Sequence, residues 1–260
     1  MKLKSKLLLA LLATSSAAFA QTAPAAPEVT YNVGVVSQYR YRGLAQTKGQ
    51  PALQGGVDYA NANGAYLGAW ASTINWIKDQ SGNPAGSNYG GKTELDLYGG
   101  YKFEAGGVGY DIGFLRYQYV GNNLNSNPAS YANANTNEIY GAMTFDVYTF
   151  KMSQSKTPLF GTLQSSGSMY LDLTANYDMG SGITLSPHIG RQTVGGTNAN
   201  VSNSQYNYTD GSLTVAKDLG DGLSATAAAI YTNAKSAQFT SPSGYTIGKS
   251  TVVLGLKYGF

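Results

Sequence analysis

The 260-residue chain contains no cysteine and one histidine, His188. Without thiols it has neither a disulfide framework nor a thiolate metal site, and a conventional zinc centre lacks its ligands. Charged residues are scarce, at 12%. Lys2, Lys4 and Lys6 account for the whole formal excess of +3, and the rest of the chain balances 14 acidic residues with as many basic ones. That balance argues against a basic field for nucleic acid or for an anionic membrane surface. Beyond residue 20 no apolar run approaches the roughly 20 residues that a membrane helix requires. A membrane, if crossed, is crossed by strands. The G-x-x-x-x-G-K-[ST] signature is absent too, so Gly99-Gly100, Gly106-Gly107 and Gly195-Gly196 read as turn or strand glycines rather than phosphate loops.

What is plentiful is tyrosine, at 21 residues, and glycine, at 33. Tyrosine is amphipathic and suits membrane–water interfaces. The first 20 residues, MKLKSKLLLALLATSSAAFA, combine a basic start, an apolar core at Leu7–Ala13 and the small-x-small site Ala18-Phe19-Ala20. They read as a cleaved secretory signal, too short to span a membrane. Residues 21–28 form a flexible leader, and 29–260 are long enough for one all-β domain.

From Val29 the chain alternates with a period of two. Val29, Tyr31, Val33 and Val35 share one face, and Thr30, Asn32, Gly34 and Gln38 the other. The spacing predicts a first strand over Val29–Arg42, longer than the five or six residues usual in soluble sheets. Further strands are expected near 51–61, 64–77, 92–103, 107–120, 137–146, 147–154, 167–179, 182–193, 206–218, 223–234 and 247–260. The total is about 12, an even number. A phase slip around Ile112–Arg116 suggests a bulge near Gly113. Over 66–76 both faces are apolar, and the sequence does not say which faces lipid. Tight glycine turns at Asn61–Gly64, Glu104–Gly107, Met179–Gly182 and Leu219–Gly222 alternate with long Asn/Ser/Gly-rich loops. Short turns at one end and long loops at the other are the pattern of an antiparallel transmembrane β-barrel, turns periplasmic and loops extracellular. A soluble β-sandwich or lipocalin-like barrel is the competing architecture.

The last stretch, STVVLGLKYGF, places Val252, Leu254, Leu256, Tyr258 and Phe260 on one face. It resembles the C-terminal assembly signal of bacterial outer-membrane barrels, which implies delivery to the barrel assembly machinery and pairing of the last strand with the first. The segments SQYRYRGLAQTKGQPALQGGVDYA (Ser37–Ala60), GAYLGAWAS (Gly64–Ser72), ELDLYGGY (Glu94–Tyr101), YDIGFLRYQY (Tyr110–Tyr119) and NEIYGAMTF (Asn137–Phe145) are similar to the TorF family of proteobacterial porins. That resemblance implies an outer-membrane location and a porin. It brings no catalytic residues.

No enzyme constellation surrounds His188; Ser186 shares its phase, but no hydrolase motif accompanies the pair. The bland reading, a lumen-facing polar residue, is preferred, and the chain is expected to be neither an enzyme nor cofactor-dependent. A charge on the lipid face costs about 2–4 kcal/mol at mid-depth. Arg40, Arg42, Asp58, Glu94, Asp96, Lys102, Arg116, Glu138, Asp172 and Lys257 are therefore expected to point inward, with Arg40 and Arg42 facing Glu94 and Asp96 at the narrowest point. Two outcomes stay open. Mixed charges around a lumen of about twelve strands line a narrow pore for small hydrophilic solutes, or they pair and fill a closed barrel that is structural or binds ligands through its loops. Outer-membrane lipid is the expected surroundings in either case. The oligomeric state is not legible.

Overall fold

A computed structural model describes residues 26–82 and 85–260. The proposed signal (1–20) and most of the leader (21–28) lie outside the described residues. The chain forms one closed antiparallel sheet of twelve staves. They are β1 (Glu28–Val36), β2 (Ala52–Ala60), β3 (Ala65–Thr73), β4 (Thr93–Ala105), β5 (Val108–Val120), β6 (Thr136–Phe145) and β7 (Tyr148–Ser155). β8 runs over Met169–Ala175 and resumes over Tyr177–Gly180; β9 (Ile183–Thr193), β10 (Tyr208–Gly220), β11 (Leu223–Thr232) and β12 (Thr251–Gly259) complete the wall. Each stave pairs with its neighbours in sequence, and β1 pairs with β12 to close the ring, from Asn32 opposite Gly259 to Val36 opposite Gly255. At the seam the Tyr31 N–H donates to the Phe260 carbonyl (2.8 Å), the Phe260 N–H donates back (3.0 Å), and the two rings stack at 5.6 Å. Among the described residues the barrel wall has no edge stave, whose unpaired backbone groups a hydrocarbon surrounding would penalise.

The alternation sets the two faces. Val252, Leu254, Leu256, Tyr258 and Phe260 are 61, 58, 48, 45 and 67% exposed, whereas Val253 between them is 7% exposed. A strand of a soluble sandwich would bury that apolar face; here it is the outside of the cylinder. No helix among the described residues is long and apolar enough to cross a membrane; the strands present the apolar surface. The ambiguous stretch resolves: on β3, Leu67, Ala69 and Ala71 face out, while Tyr66, Gly68 and Trp70 face in.

Staves join through short turns at one end, among them Gly106-Gly107 and Asp146, whose φ is 53°. At the other end run six longer loops: L1 (37–51), L2 (74–92), L3 (121–135), L4 (156–168), L5 (194–207) and L6 (233–250). Two sequence expectations are corrected. β1 stops at Val36 rather than Arg42, because Arg42 and Gly43 both take positive φ (46° and 75°) and fold Arg40–Tyr41 back on Leu44–Ala45, as a two-residue hairpin turn requires. No bulge falls at Gly113; β4 and β5 stay in register from Thr93–Val120 to Ala105–Val108. The phase slip has another cause. Leu115, Tyr117 and Tyr119 face inward because the loops pack on them, and with Ile74, Ile77, Tyr89 and Leu124 they form an apolar core inside the loop end. The register shifts lie instead at Asp178/Gly180 and Asp218/Gly220, at the turn end.

Inward glycines make room for inward tyrosines. A Cβ on Gly68 would lie 2.5 Å from Tyr98, one on Gly100 2.6 Å from the Tyr66 hydroxyl, and one on Gly113 2.5 Å from that of Tyr140. The tyrosines therefore lie flat along the wall rather than across the lumen.

The two faces predict opposite tolerances. Leu213→Arg, mid-stave and outward on β10, should lower the stability of the barrel refolded in phosphatidylcholine vesicles by about 2–4 kcal/mol in urea titrations. Ser212→Arg, one residue away and inward, should cost markedly less; equal losses would contradict the assigned faces.

Candidate functional site

L1 does not stay at the rim. It turns into the cylinder and reaches the wall opposite its own stave. At its tip Arg42 bridges β6 and β9: Nη1 and Nη2 donate to Glu138 Oε1 and Oε2 at 3.0 and 2.8 Å, and Nη1 also donates to Gln192 Oε1 at 2.9 Å. Both charged side chains are nearly inaccessible, at 3 and 2%. The guanidinium lies 4.3 Å from the ring centroid of Tyr170 and 4.9 Å from that of Tyr41. Such a fork-shaped, two-bonded pair fixes orientation as well as charge. Tyr41 stacks edge-on against Tyr117 and against Phe160 of L4, so the strap is wedged from a second loop. Closer to its root, Arg40 donates to Gln38 Oε1 (2.9 Å) and to the carbonyls of Ile247 and Lys249 in L6 (2.9 and 2.8 Å).

The expected facing of Arg40 and Arg42 on Glu94 and Asp96 is therefore corrected. Arg42 pairs with Glu138, Arg40 ties L1 to L6, and Glu94 accepts instead from the Tyr39 hydroxyl at 2.8 Å. The reason is the early end of β1, which hands both arginines to a loop.

Carboxylates and tyrosines recur together on the inner wall. Tyr98 donates to Asp58 (2.5 Å), Tyr66 to Asp111 (2.6 Å), Tyr117 to Glu138 (3.2 Å) and Tyr170 to Asp210 (3.0 Å). Tyr66 and Tyr140 also join hydroxyl to hydroxyl. Asp172 accepts from Thr174 (2.9 Å) and lies 3.1 Å from His188 Nε2, while Asp210 is 3.8 Å from His188 Nδ1. Asp96 keeps one buried oxygen, Oδ1, without a partner among the described residues. The Lys102 ammonium lies 5.0 Å from the Tyr66 ring and that of Lys151 3.9 Å from the Tyr140 ring. Lys257 is half-buried in the inward phase of β12. Ser186 donates to Asn176 Oδ1 at 2.7 Å rather than approaching His188, so the two do not form a nucleophile–base pair.

Arg116 departs from expectation. On β5 the inward phase is Asp111, Gly113, Leu115, Tyr117 and Tyr119, which leaves Arg116 on the outside. There it donates to Gln118 Oε1 (2.6 Å) and Asn137 Oδ1 (3.1 Å), close to the loop end, where an outward charge costs least. Asp111, Lys151 and Asp210 are inward residues that the sequence reading passed over; their signal was the inward phase of β5, β7 and β10.

The balanced net charge conceals a strict sorting. Outside the lumen, the loops and loop-end rim carry Lys48, Lys78, Lys92, Arg116, Lys156, Arg191, Lys235 and Lys249 against one carboxylate, Asp79. The turn end carries Glu28, Glu104, Asp146, Asp178, Asp218 and Asp221 against Lys217. Inside are Asp58, Glu94, Asp96, Asp111, Glu138, Asp172 and Asp210, with Arg40, Arg42, Lys102, Lys151 and Lys257. The conclusion that no basic field exists holds for the total and fails for the loop end.

Fold and wall together define a closed twelve-stave antiparallel β-barrel, apolar outside and polar inside. The chain matches, over residues 20–260, the family Gcw_chp, described as a bacterial protein of unknown function, and it belongs to that family. No curated protein matches its sequence. Among solved structures it is similar to the NanC porin, at 10% identity and a TM-score of 0.53 over 89% of this chain and 99% of that one. It is also similar to the KdgM porin in complex with disordered oligogalacturonate, at 9% identity and a TM-score of 0.51 over 89% and 98%. At these identities the likeness is one of fold.

Removing one partner of a buried pair costs about 3–5 kcal/mol, while replacing both with apolar groups is often neutral. Arg42→Met should therefore lower the urea midpoint of the folded barrel strongly, and Arg42→Met with Glu138→Leu should recover most of the loss. A double variant as unstable as the single one would show that the pair does not anchor L1.

Proposed function

We propose that this barrel is a passive channel of the bacterial outer membrane. It passes small hydrophilic solutes down their gradients without a cofactor, and L1 narrows its lumen near the outer end. The observation that carries the reading is L1 itself, a loop pinned across the cylinder by Arg42 and Glu138 above a polar inner wall that is partly exposed at Asp58, Lys102 and Lys257. The turn end then faces the periplasm and the loops face outward. Residues 1–20 serve as the export signal. The outward face of Val252, Leu254, Leu256, Tyr258 and Phe260 is what the barrel assembly machinery would read. The TorF-like segments support the same assignment.

Arg42, Glu138 and Glu94 are the constriction residues in this reading; Asp58, Asp96, Lys102, Asp111, Lys151, Asp172 and Lys257 line the chamber beneath. Seven inward carboxylates face five inward cations. Arg42 is neutralised by Glu138, so the remaining field favours neutral or cationic solutes. An acidic oligosaccharide, such as the one named with the KdgM porin, would meet repulsion here.

One observation favours a second reading, a closed barrel whose loops do the work. Tyr39, Ile77, Tyr89 and Leu124 pack L1, L2 and L3 into an apolar core that excludes water. Planar bilayers separate the two. A channel gives discrete conductance steps with a reversal potential on the cation-selective side, and the paired substitutions Arg42→Ala and Glu138→Ala raise the unit conductance. A correctly folded barrel that stays silent, with and without those substitutions, would overturn the channel.

A further inference from the structure

Arg116, Lys156 and Arg191 lie on the outside of the cylinder or at its rim, at the loop end of β5, β7 and β9. A charge on a lipid-facing wall needs a reason. Within this structure each is held in place but not neutralised. Arg116 donates to the amide oxygens of Gln118 and Asn137, Lys156 Nζ to Gln154 Oε1 (2.6 Å), and Arg191 Nη1 to Thr209 Oγ1 (3.0 Å). All these acceptors are neutral. Among the described residues the salt bridges involve Arg42, Lys48 and His188, and none reaches these three cations. No carboxylate faces outward on these staves near the loop end, since Glu138, Asp172 and Asp210 all point into the lumen. The opposite end of the wall is built differently, with stacked aromatics such as Phe103 on Tyr110 and Tyr258 on Phe260.

We propose that this arc is a docking surface for the phosphate groups of the lipid headgroups that pack around the loop end of the barrel. The partner is a phosphorylated glycolipid, and the neutral amides and the threonine hydroxyl act as props that aim the cations at it. Guanidinium groups suit phosphate because they donate two parallel hydrogen bonds. The lateral amides of Gln118 and Asn137, whose oxygens turn toward Arg116, leave their N–H groups as further donors. The barrel thereby gains a preferred leaflet as well as a preferred depth. The proposal rests on the membrane-barrel reading but not on conduction.

Native mass spectrometry of the folded, detergent-solubilised full chain, titrated with bis-phosphorylated lipid A, tests it. Each basic group at an anionic membrane surface contributes about a fivefold gain in binding. The triple variant R116Q/K156Q/R191Q should therefore bind roughly a hundredfold more weakly, and each single variant, should the triple fail to fold, about fivefold more weakly. Lipid A stripped of both phosphates should bind the native barrel no better than the triple variant does. Undiminished binding by the variants, equal binding of the stripped lipid, or displacement by millimolar inorganic phosphate would overturn the proposal. Heat-modifiable electrophoretic migration and insertion into phosphatidylcholine vesicles report the barrel separately, so loss of the fold is distinguishable from loss of the docking surface.

Discussion

Everything in this molecule follows from the pairing of β1 with β12. Once Tyr31 and Phe260 exchange backbone hydrogen bonds, the sheet has no edge, and each stave's backbone pairs with a neighbour on both sides. The outer surface is then free to be apolar. The period-two geometry of strands sends the alternate residues to an enclosed interior, which must accept the polar groups that the outside refuses. The seven carboxylates within the lumen are the direct result of that sorting.

An enclosed, crowded interior creates its own difficulty, because a buried carboxylate is costly unless it is hydrogen-bonded. Tyrosine is the usual answer here. Its ring lies along the wall over a glycine of the neighbouring stave, and its hydroxyl reaches a carboxylate on another, as Tyr66 does over Gly100 to reach Asp111. The abundance of tyrosine thus has two physical origins, one at the aromatic rim of the turn end and one inside. L1 adds a third feature: a tight hairpin carries Arg42 across the cylinder to a carboxylate on the far wall, so the cross-section is set by a loop rather than by stave number alone.

The wall was legible in the sequence because an apolar outside and a polar inside impose a clean alternation along each stave, and the turn glycines mark one end. The first half of that statement is visible in β12, where five apolar residues recur at every second position. What was hidden had identifiable causes. The hairpin at Arg42-Gly43 uses an Arg-Gly turn in place of the familiar Asn-Gly, so β1 read as a longer strand. The inward apolar residues Leu115, Tyr117 and Tyr119 pack under loops rather than against lipid, and that tertiary demand imitated a bulge. Arg116 was placed inward by a rule about mid-depth charges that does not hold at the rim. The sorting of charge between the two ends could not be seen in a net charge near zero.

The chain lacks cysteine, so a single introduced thiol is a unique reporter of which face a residue occupies. The most direct measurement is the labelling of Ser224→Cys, Ala225→Cys, Thr226→Cys and Ala227→Cys on β11, in vesicles, with a small membrane-impermeant methanethiosulfonate. A water-containing cylinder sealed against lipid predicts rapid reaction at 224 and 226 and none at 225 and 227. Equal reaction at all four positions, or a reversed pattern, would contradict it.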